Sequence, residues 1–186
     1  MKFAYADPPY IGQAKKHYAC AEIDHAELIA RLDRDYEAWA LSLSTPSLPE
    51  ILKYIPAGCR IGAWVKPFHC LKRGVNPSYG WEPVIWKGGR KRAIDEIKVN
   101  DFKSCNITML KGFSGAKPEE FSFWIFELLN ARPGDKFHDL YFGSGAVSRA
   151  WDRWCKEFDD LKHRRLKGSA KKRFEQKLDT IQEDKK

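Results

Sequence analysis

No stretch of eighteen consecutive apolar residues occurs in this 186-residue sequence, so we expect no membrane span. The first residues enter a predicted strand directly, without the charged and apolar regions of a signal peptide, which favours a cytoplasmic location. The five cysteines are odd in number, widely scattered and never spaced as a CxxC pair. We therefore expect reduced thiols and no metal site.

Motifs of several other enzyme classes are also incomplete. The stretch Asp139–Gly145 reads DLYFGSG, which is too short for the lysine of a nucleotide-binding P-loop. It carries only two of the three glycines of the dinucleotide-binding fingerprint. Ser42 and Ser44 have no histidine partner by pattern. We therefore exclude a hydrolase triad and find no complete nucleotide fingerprint.

The net charge of +8 is concentrated at the C-terminus. Residues 161–186 contain ten lysines and arginines against four aspartates and glutamates. A basic tail on a nearly neutral body predicts attachment to a polyanion, with nucleic acid as the expected partner, although a tail that only aids solubility fits equally well. Because Phe174, Leu178 and Ile181 recur at helical spacing, we expect residues 161–186 to be partly helical or disordered.

The order of predicted elements indicates one α/β domain over residues 1–160. Strand character occurs at residues 2–6, 39–44, 60–65, 82–86 and 136–141, and helical character follows Asp24 and covers residues 48–55 and 117–129. This alternation predicts an open, mostly parallel Rossmann-like sheet with helices on both faces. Residues 87–116 interrupt the pattern and are a candidate insertion for contacting a target.

The stretch ADPPY places three chemical groups directly after the first predicted strand. Asp7 supplies a carboxylate. Pro8 and Pro9 stiffen the backbone and remove two donors, which leaves carbonyl groups free to accept hydrogen bonds. Tyr10 supplies an aromatic face. These groups suit a planar ring that bears an amino group, although ordinary turns also contain Asp-Pro.

The glycine stretch Asp139–Gly145 has a similar position after a later strand. Its glycines permit close approach of a ligand, and the helix that follows offers free N–H groups. Taken alone, it is equally well a structural turn. However, ligands of open α/β sheets bind at the carboxyl ends of the strands. If the two strands are neighbours, both turns face one crevice, with a cofactor on one side and a planar substrate on the other.

Together these motifs resemble the amino-methyltransferases that modify exocyclic nitrogens of nucleobases. DPPY at Asp7–Tyr10 comes first and the glycine loop last, which resembles the permuted, beta-type arrangement; KPEEF at Lys117–Phe121 resembles the helix that precedes the cofactor loop. The segments ALSLSTPSL, AWVKPF, WEPVIWKGGRK and FGSGAVSRAW add a similarity to small DNA adenine methylases of bacteriophages and prophages.

The resemblance implies S-adenosylmethionine as cofactor and transfer of its methyl group to N6 of adenine in double-stranded DNA, in a bacterial or phage-infected cell. It implies that Asp7, Pro8, Pro9 and Tyr10 are catalytic, with Tyr10 stacking on a flipped base. Cytosine N4, or RNA, is the alternative substrate. The implied cofactor-binding residues are Asp7, Lys117, Asp139, Tyr141, Phe142, Gly143, Ser144 and Gly145.

The chain departs from that family after the glycine loop. A complete member has two further strands, the first ending in an acid that holds the cofactor ribose. Here Glu157, Asp159 and Asp160 fall near that spacing, but no β-branched or apolar run precedes them. We therefore expect a sheet truncated at its C-terminal strands, with an edge beside the glycine strand that a dimer partner, a partner subunit or the tail helix covers. A catalytically silent module that binds nucleic acid is the alternative function.

Further residues are predicted to contact substrate. Lys66 and Phe68 follow a strand on the same predicted edge, where an ordinary turn is the alternative. Trp81 and Glu82 could close the pocket or belong to the core. The loop with Arg90, Lys91 and Arg92 is the best candidate for contacting backbone phosphate, against the alternative of a solvated hairpin.

Overall fold

In a computed structural model of the chain, the residues described are 1–14, 21–69, 71, 73–94, 96–108 and 116–161. The basic tail from residue 162 onward therefore lies outside the described residues. In the part of the chain so covered, no helix is both long and apolar enough to cross a bilayer. Cys59, Cys105 and Cys155 are free thiols.

The described chain alternates strands and helices. The strands are β1 (Lys2–Ala6), β2 (Ala38–Ser42), β3 (Arg60–Val65), β4 (Trp81–Gly88), β5 (Phe102–Ser104) and β6 (Lys136–Asp139). The helices are α1 (His25–Asp35), α2 (Leu48–Ile51), α3 (Glu119–Leu128) and α4 (residues 146–161), with 3-10 turns at Thr45–Ser47 and Leu52–Tyr54. The Asp24 side chain accepts a hydrogen bond from the Glu27 backbone nitrogen and caps α1, as its sequence position predicts.

The six strands form one open, mixed sheet in the order β5-β3-β4-β2-β1-β6. Strand β1 pairs in parallel with β2 and β6, and β3 pairs in parallel with β5. Strand β4 runs antiparallel to both of its neighbours. Five strands therefore share one direction, which confirms the predicted α/β sheet, while β4 is reversed. This reversal places the start of β4 at the edge where the other strands end.

Helices cover both faces of the sheet because the strands alternate their side chains between two cores. Phe3 and Tyr5 of β1 point to one side, and Ala4 and Ala6 point to the other. The first core packs the sheet against α3 and α4; it includes Trp64, Phe121, Trp124, Phe126 and Trp154. The second packs it against α1 and α2; it includes Leu28, Leu32, Trp39, Ile51 and Ile85.

Strand β5 was not predicted, and it changes the interpretation of residues 87–116. Phe102–Ser104 pairs with β3, so this part of the segment belongs to the sheet rather than to an insertion. Three residues are too few to show strand periodicity, which explains why the sequence pattern missed the strand. At the other end of the sheet, β6 is the last strand among the described residues.

Asp135 ties the chain start to the turn before β6. Its buried carboxylate contacts the Met1 amino group at 2.9 Å, accepts from the Arg132 backbone nitrogen at 2.8 Å and pairs with the Arg90 guanidinium. Burial alone would raise the pKa of Asp135, but these hydrogen bonds lower it to about 2. The carboxylate therefore stabilises the fold in its ionised form.

We predict an acid-labile contribution from this carboxylate. Because its folded-state pKa lies below the unfolded value of 3.8, its contribution is complete above that value and is lost as the pH falls through about 2. Urea unfolding should show the free-energy difference between wild type and Asp135→Asn shrinking by about 2 kcal/mol from neutral to strongly acidic pH. The exposed Asp101→Asn serves as control, and a pH-independent difference for Asp135→Asn contradicts the assignment.

Candidate active site

The two chemically distinctive turns leave the sheet side by side. Strands β1 and β6 are hydrogen-bonded neighbours with Tyr5 opposite Asp139, and the Leu140 backbone nitrogen donates to the Tyr5 carbonyl at 3.0 Å. Asp7 follows β1 directly, and the glycine turn follows β6. The carboxyl ends of two adjacent parallel strands therefore bring both turns to one edge, although about 130 residues separate them in sequence.

Three further charged side chains come to the same edge. Lys66 follows the end of β3, and Glu82 lies at the start of the reversed strand β4, where Val65 and Trp81 are paired. Lys117 precedes α3, whose first turn packs Phe121 into the core. The side chains of Lys66 and Lys117 are buried, at 9% and 5% exposure, so both ammonium groups need charged partners.

Glu82 joins these charges into one network. Its Oε1 accepts from Lys66 Nζ at 2.9 Å, and its Oε2 lies 3.1 Å from Lys117 Nζ. The Tyr10 hydroxyl donates to the same Oε2 at 2.9 Å. Lys117 Nζ also lies 3.2 Å from Asp7 Oδ1. Lys117 therefore bridges the two acids, and Asp7 and Tyr10 of the DPPY turn both belong to the network.

The network gives the two acids, Asp7 and Glu82, opposite shifts in pKa. Burial would raise the pKa of Glu82, but Lys117 and Lys66 hold it at about 2. Asp7 differs, because burial raises its pKa and the attraction of Lys117 offsets this only in part. Burial disfavours the charged form of Lys117, but Asp7 and Glu82 together raise the pKa of Lys117 well above its usual value. Glu82 is thus a stable anion, whereas Asp7 is the stronger proton acceptor.

Aromatic rings close the inner side of this cluster. Lys117 Nζ lies 5.3 Å from the centre of the Trp64 ring and 5.7 Å from that of Phe121, and Lys66 Nζ lies 5.4 Å from Trp64. Such cation–π contacts stabilise ammonium groups that have lost water. The Tyr5 hydroxyl, buried below the DPPY turn, is hydrogen-bonded to Ser42 at 2.7 Å. Ser42 therefore supports the strand ends, and this contact gives it no nucleophilic role.

The glycine turn has a backbone that a side chain would disrupt. Gly145 has φ of +70°, and a Cβ there would lie 2.7 Å from the Phe142 ring. The Gly145 nitrogen donates to the Phe142 carbonyl at 2.7 Å, which tightens the turn before α4. At its start, Asp139 Oδ2 accepts from Ser148 at 2.9 Å. Asp139 Oδ1 is buried and has no hydrogen-bond partner among the described residues, and burial raises the pKa of this carboxyl.

The remaining predicted site residues differ in exposure. Pro8 and Pro9 are buried behind Asp7, whereas Phe68 is 56% exposed next to Lys66. In the glycine turn Phe142 is 64% exposed. The other turn residues range from half-buried to exposed; they are Tyr141, Gly143 and Ser144. The structure therefore places the predicted catalytic and cofactor-binding residues along one edge of the sheet.

The basic loop lies elsewhere. Because β4 is reversed, its last residue Gly88 pairs with Ala38 at the start of β2, at the opposite edge from Asp7. Arg90 pairs with Asp135, and Arg92 donates to the Glu127 carbonyl. Lys91 is exposed at this same opposite edge. The structure thus separates these three residues from the DPPY turn and gives both arginines partners within the fold.

The acids considered for a ribose contact do not follow a strand. Glu157, Asp159 and Asp160 all lie on α4, which continues to residue 161. Glu157 Oε1 accepts from Arg153 at 2.9 Å, one helical turn away. The described residues beyond β6 thus contain this helix and no further strand.

Comparisons with known proteins place the fold. No protein-family model matches the chain, and no curated protein matches its sequence. Among the solved structures that resemble this chain is one of M1.HpyAVI in complex with SAM. The two chains superpose with a TM-score of 0.55 and 18% sequence identity, over 82% of this chain and 77% of that one. A second structure of M1.HpyAVI gives a TM-score of 0.53 and 18% identity over 82% and 76% of the two chains. At this identity the similarity establishes a shared α/β fold.

Proposed function

We propose that this chain catalyses methyl transfer from S-adenosylmethionine to the N6 amino group of adenine in DNA, acting on a base flipped out of the helix. The observation that carries the proposal is the shared edge: the DPPY turn and the glycine turn follow the paired strands β1 and β6. Similarity of fold to M1.HpyAVI, which was solved with SAM, supports the choice of cofactor.

The residues at this edge fit that cofactor. Among the charged groups described above, three carboxylates face two ammonium groups; the acids are Asp7, Glu82 and Asp139, and the bases are Lys66 and Lys117. The resulting net charge of about −1 complements a ligand that carries a sulfonium, an ammonium and a carboxylate. The unpartnered Oδ1 of Asp139 is an available acceptor for a donor on the ligand.

Bound S-adenosylmethionine supplies an electrophilic methyl group on a positively charged sulfur. The chain's own residues act on the base. The Asp7 carboxylate and the Pro8 carbonyl accept the two amino hydrogens, which turns the nitrogen lone pair out of conjugation with the ring. Tyr10 stacks on the flipped base, and Asp7 takes the proton that the nitrogen loses. The raised pKa of Asp7 suits this acceptor role. Positioning supplies much of the remaining acceleration.

Two measurements test this function. Titration calorimetry with S-adenosylmethionine should show binding with a dissociation constant on the order of micromolar. Mass spectrometry of nucleosides from DNA and RNA incubated with protein and cofactor should show N6-methyladenine from DNA. N4-methylcytosine, or methylation of RNA only, would replace the proposed substrate.

A silent nucleic-acid-binding module is the second candidate, favoured by one observation. The described sheet ends at β6, and the ribose acid of complete family members has no counterpart after a strand there. Nucleic-acid binding with no detectable heat from S-adenosylmethionine would support this candidate. A dimer partner or a second subunit covering β6 remains part of the proposal, because an open edge strand invites pairing.

A further inference from the structure

We propose that Glu82 is the positioning residue of this site, orienting the Tyr10 ring and holding Lys117 against Asp7. The inference rests on the proposed function and deepens it. The sequence singled out Glu82 only as a side chain that could close the pocket, because nothing in the pattern around it indicates an ion pair. The reversed direction of β4 is what brings it to the edge where β1 and β3 end.

The two oxygens of Glu82 have separate tasks. Oε1 binds Lys66, at 2.9 Å, and so anchors the carboxylate to the end of β3. Oε2 faces the site and accepts from the Tyr10 hydroxyl at 2.9 Å and from Lys117 at 3.1 Å. A carboxylate held through one oxygen presents the other in a defined position, and two charge-assisted contacts converge there.

The hydrogen bond from the Tyr10 hydroxyl to Glu82 is not needed for stacking itself, because stacking on a base uses only the face of the ring. Phenylalanine would provide the same face, so the hydroxyl has no direct role in stacking. A hydrogen bond from that hydroxyl to Glu82, 72 residues away in sequence, instead restrains the plane of the ring. A base stacked on a restrained ring has its amino group held relative to Asp7. Small errors in such alignment are costly for a group transfer.

Lys117 adds a second link between Glu82 and the reacting groups. Its ammonium touches Glu82 Oε2 and Asp7 Oδ1, at 3.1 and 3.2 Å. Because Lys117 shares its charge between the two acids, it restrains Asp7 without neutralising it completely. Asp7 therefore keeps acceptor capacity for an amino hydrogen. A carboxylate that served only to anchor Lys66 would not need to contact two residues of the site.

Kinetics of two variants and their combination test the role. Tyr10→Phe keeps the ring and removes the hydroxyl. The pair Lys66→Met and Glu82→Met removes one charge of each sign together with the acceptor of the Tyr10 hydroxyl, while Lys117 keeps Asp7 as its partner, so no buried ion is left unpaired. We expect each to lower kcat about tenfold, the effect of one hydrogen bond, with the dissociation constant of S-adenosylmethionine and the KM for DNA changed less than about twofold. The combination should lose about tenfold in total, because both changes break the same restraint.

The matched control is Tyr54→Phe. Its hydroxyl donates to Glu50 at 2.9 Å, the same chemistry on an exposed surface, and the kinetics should not change. Independent losses that multiply to about a hundredfold, or an unchanged kcat in Tyr10→Phe, overturn the positioning role. If the charge-balanced variant does not fold, Tyr10→Phe alone decides by its kcat. A wild-type protein that methylates no nucleoside overturns the proposed function, and this inference with it, whereas an active wild type with an unaffected Tyr10→Phe rejects the inference alone.

Discussion

Replacing Asp7 by alanine is expected to lower the rate of methyl transfer about a thousandfold, at the upper end of the effect of removing one preorganised electrostatic group. The change removes the carboxylate proposed to accept an amino hydrogen, while the Pro8 carbonyl remains. Folding should survive, because Lys117 keeps its ion pair with Glu82 at 3.1 Å. Asp7→Asn preserves the shape and should show nearly the same loss, which separates charge from volume.

The measurement is single-turnover methylation of DNA, with circular dichroism and thermal unfolding recorded for each variant. The control is Asp101→Ala. The exposed Asp101 carboxylate lies 3.8 Å from Arg60, beside β5 at the opposite end of the strand order from β6. Its rate should equal that of wild type. Turnover retained in a folded Asp7→Ala protein would remove Asp7 from the proposed chemistry, whatever its position at the end of β1.

Replacing Lys117 by methionine is expected to have the largest effect on stability, about 3 kcal/mol, together with loss of methyl transfer. Methionine fills a similar volume between Trp64 and Phe121 but leaves two acids near each other without their shared cation. Removing one member of a buried ion network leaves an uncompensated charge, which costs more than an intact pair contributes. Glu82 retains Lys66, so Asp7 is the acid left without a cation from this network.

The pH dependence of this variant has a definite sign. Without Lys117 the pKa of Asp7 rises further, so the folded state binds a proton more tightly than the unfolded state. The destabilisation relative to wild type should therefore shrink as the pH falls through that raised pKa. Urea unfolding across pH measures it, and Lys53→Met, at an exposed lysine paired with Glu50, should show no measurable change. Equal stability of Lys117→Met and wild type at neutral pH would contradict the network.

Local patterns predicted the elements whose signal is short-range. The boundaries of β1 and β3 agree with the sequence, since each is a run of strand-forming residues flanked by proline or charged residues. Capping of α1 by Asp24 and the helix after Lys117 also follow from neighbouring residues. The two turns face one crevice only if β1 and β6 are neighbours, and the register of Tyr5 with Asp139 meets that condition.

What the sequence could not predict depends on long-range pairing. The direction of β4 is decided by its two neighbours, and that direction places Glu82 in the site and Arg90 away from it. Arg90 and Asp135 are separated by 45 residues, so no local pattern shows that this arginine has a partner. The basic loop, predicted to contact phosphate, instead joins Arg90 to Asp135 within the fold. Glu82, an acid in a mostly apolar strand, contacts Tyr10, Lys66 and Lys117 at the site.

The proposed function requires the DPPY turn and the glycine turn to bind one cofactor together. Backbone amide NMR of the isotopically labelled protein, titrated with S-adenosylmethionine, tests it most directly. If both turns line one cofactor pocket, the signals of Asp7 and Tyr10 shift along with those of Gly143 and Gly145, at one shared dissociation constant. Shifts confined to one turn, different constants for the two turns, or no shift at saturating cofactor would contradict it.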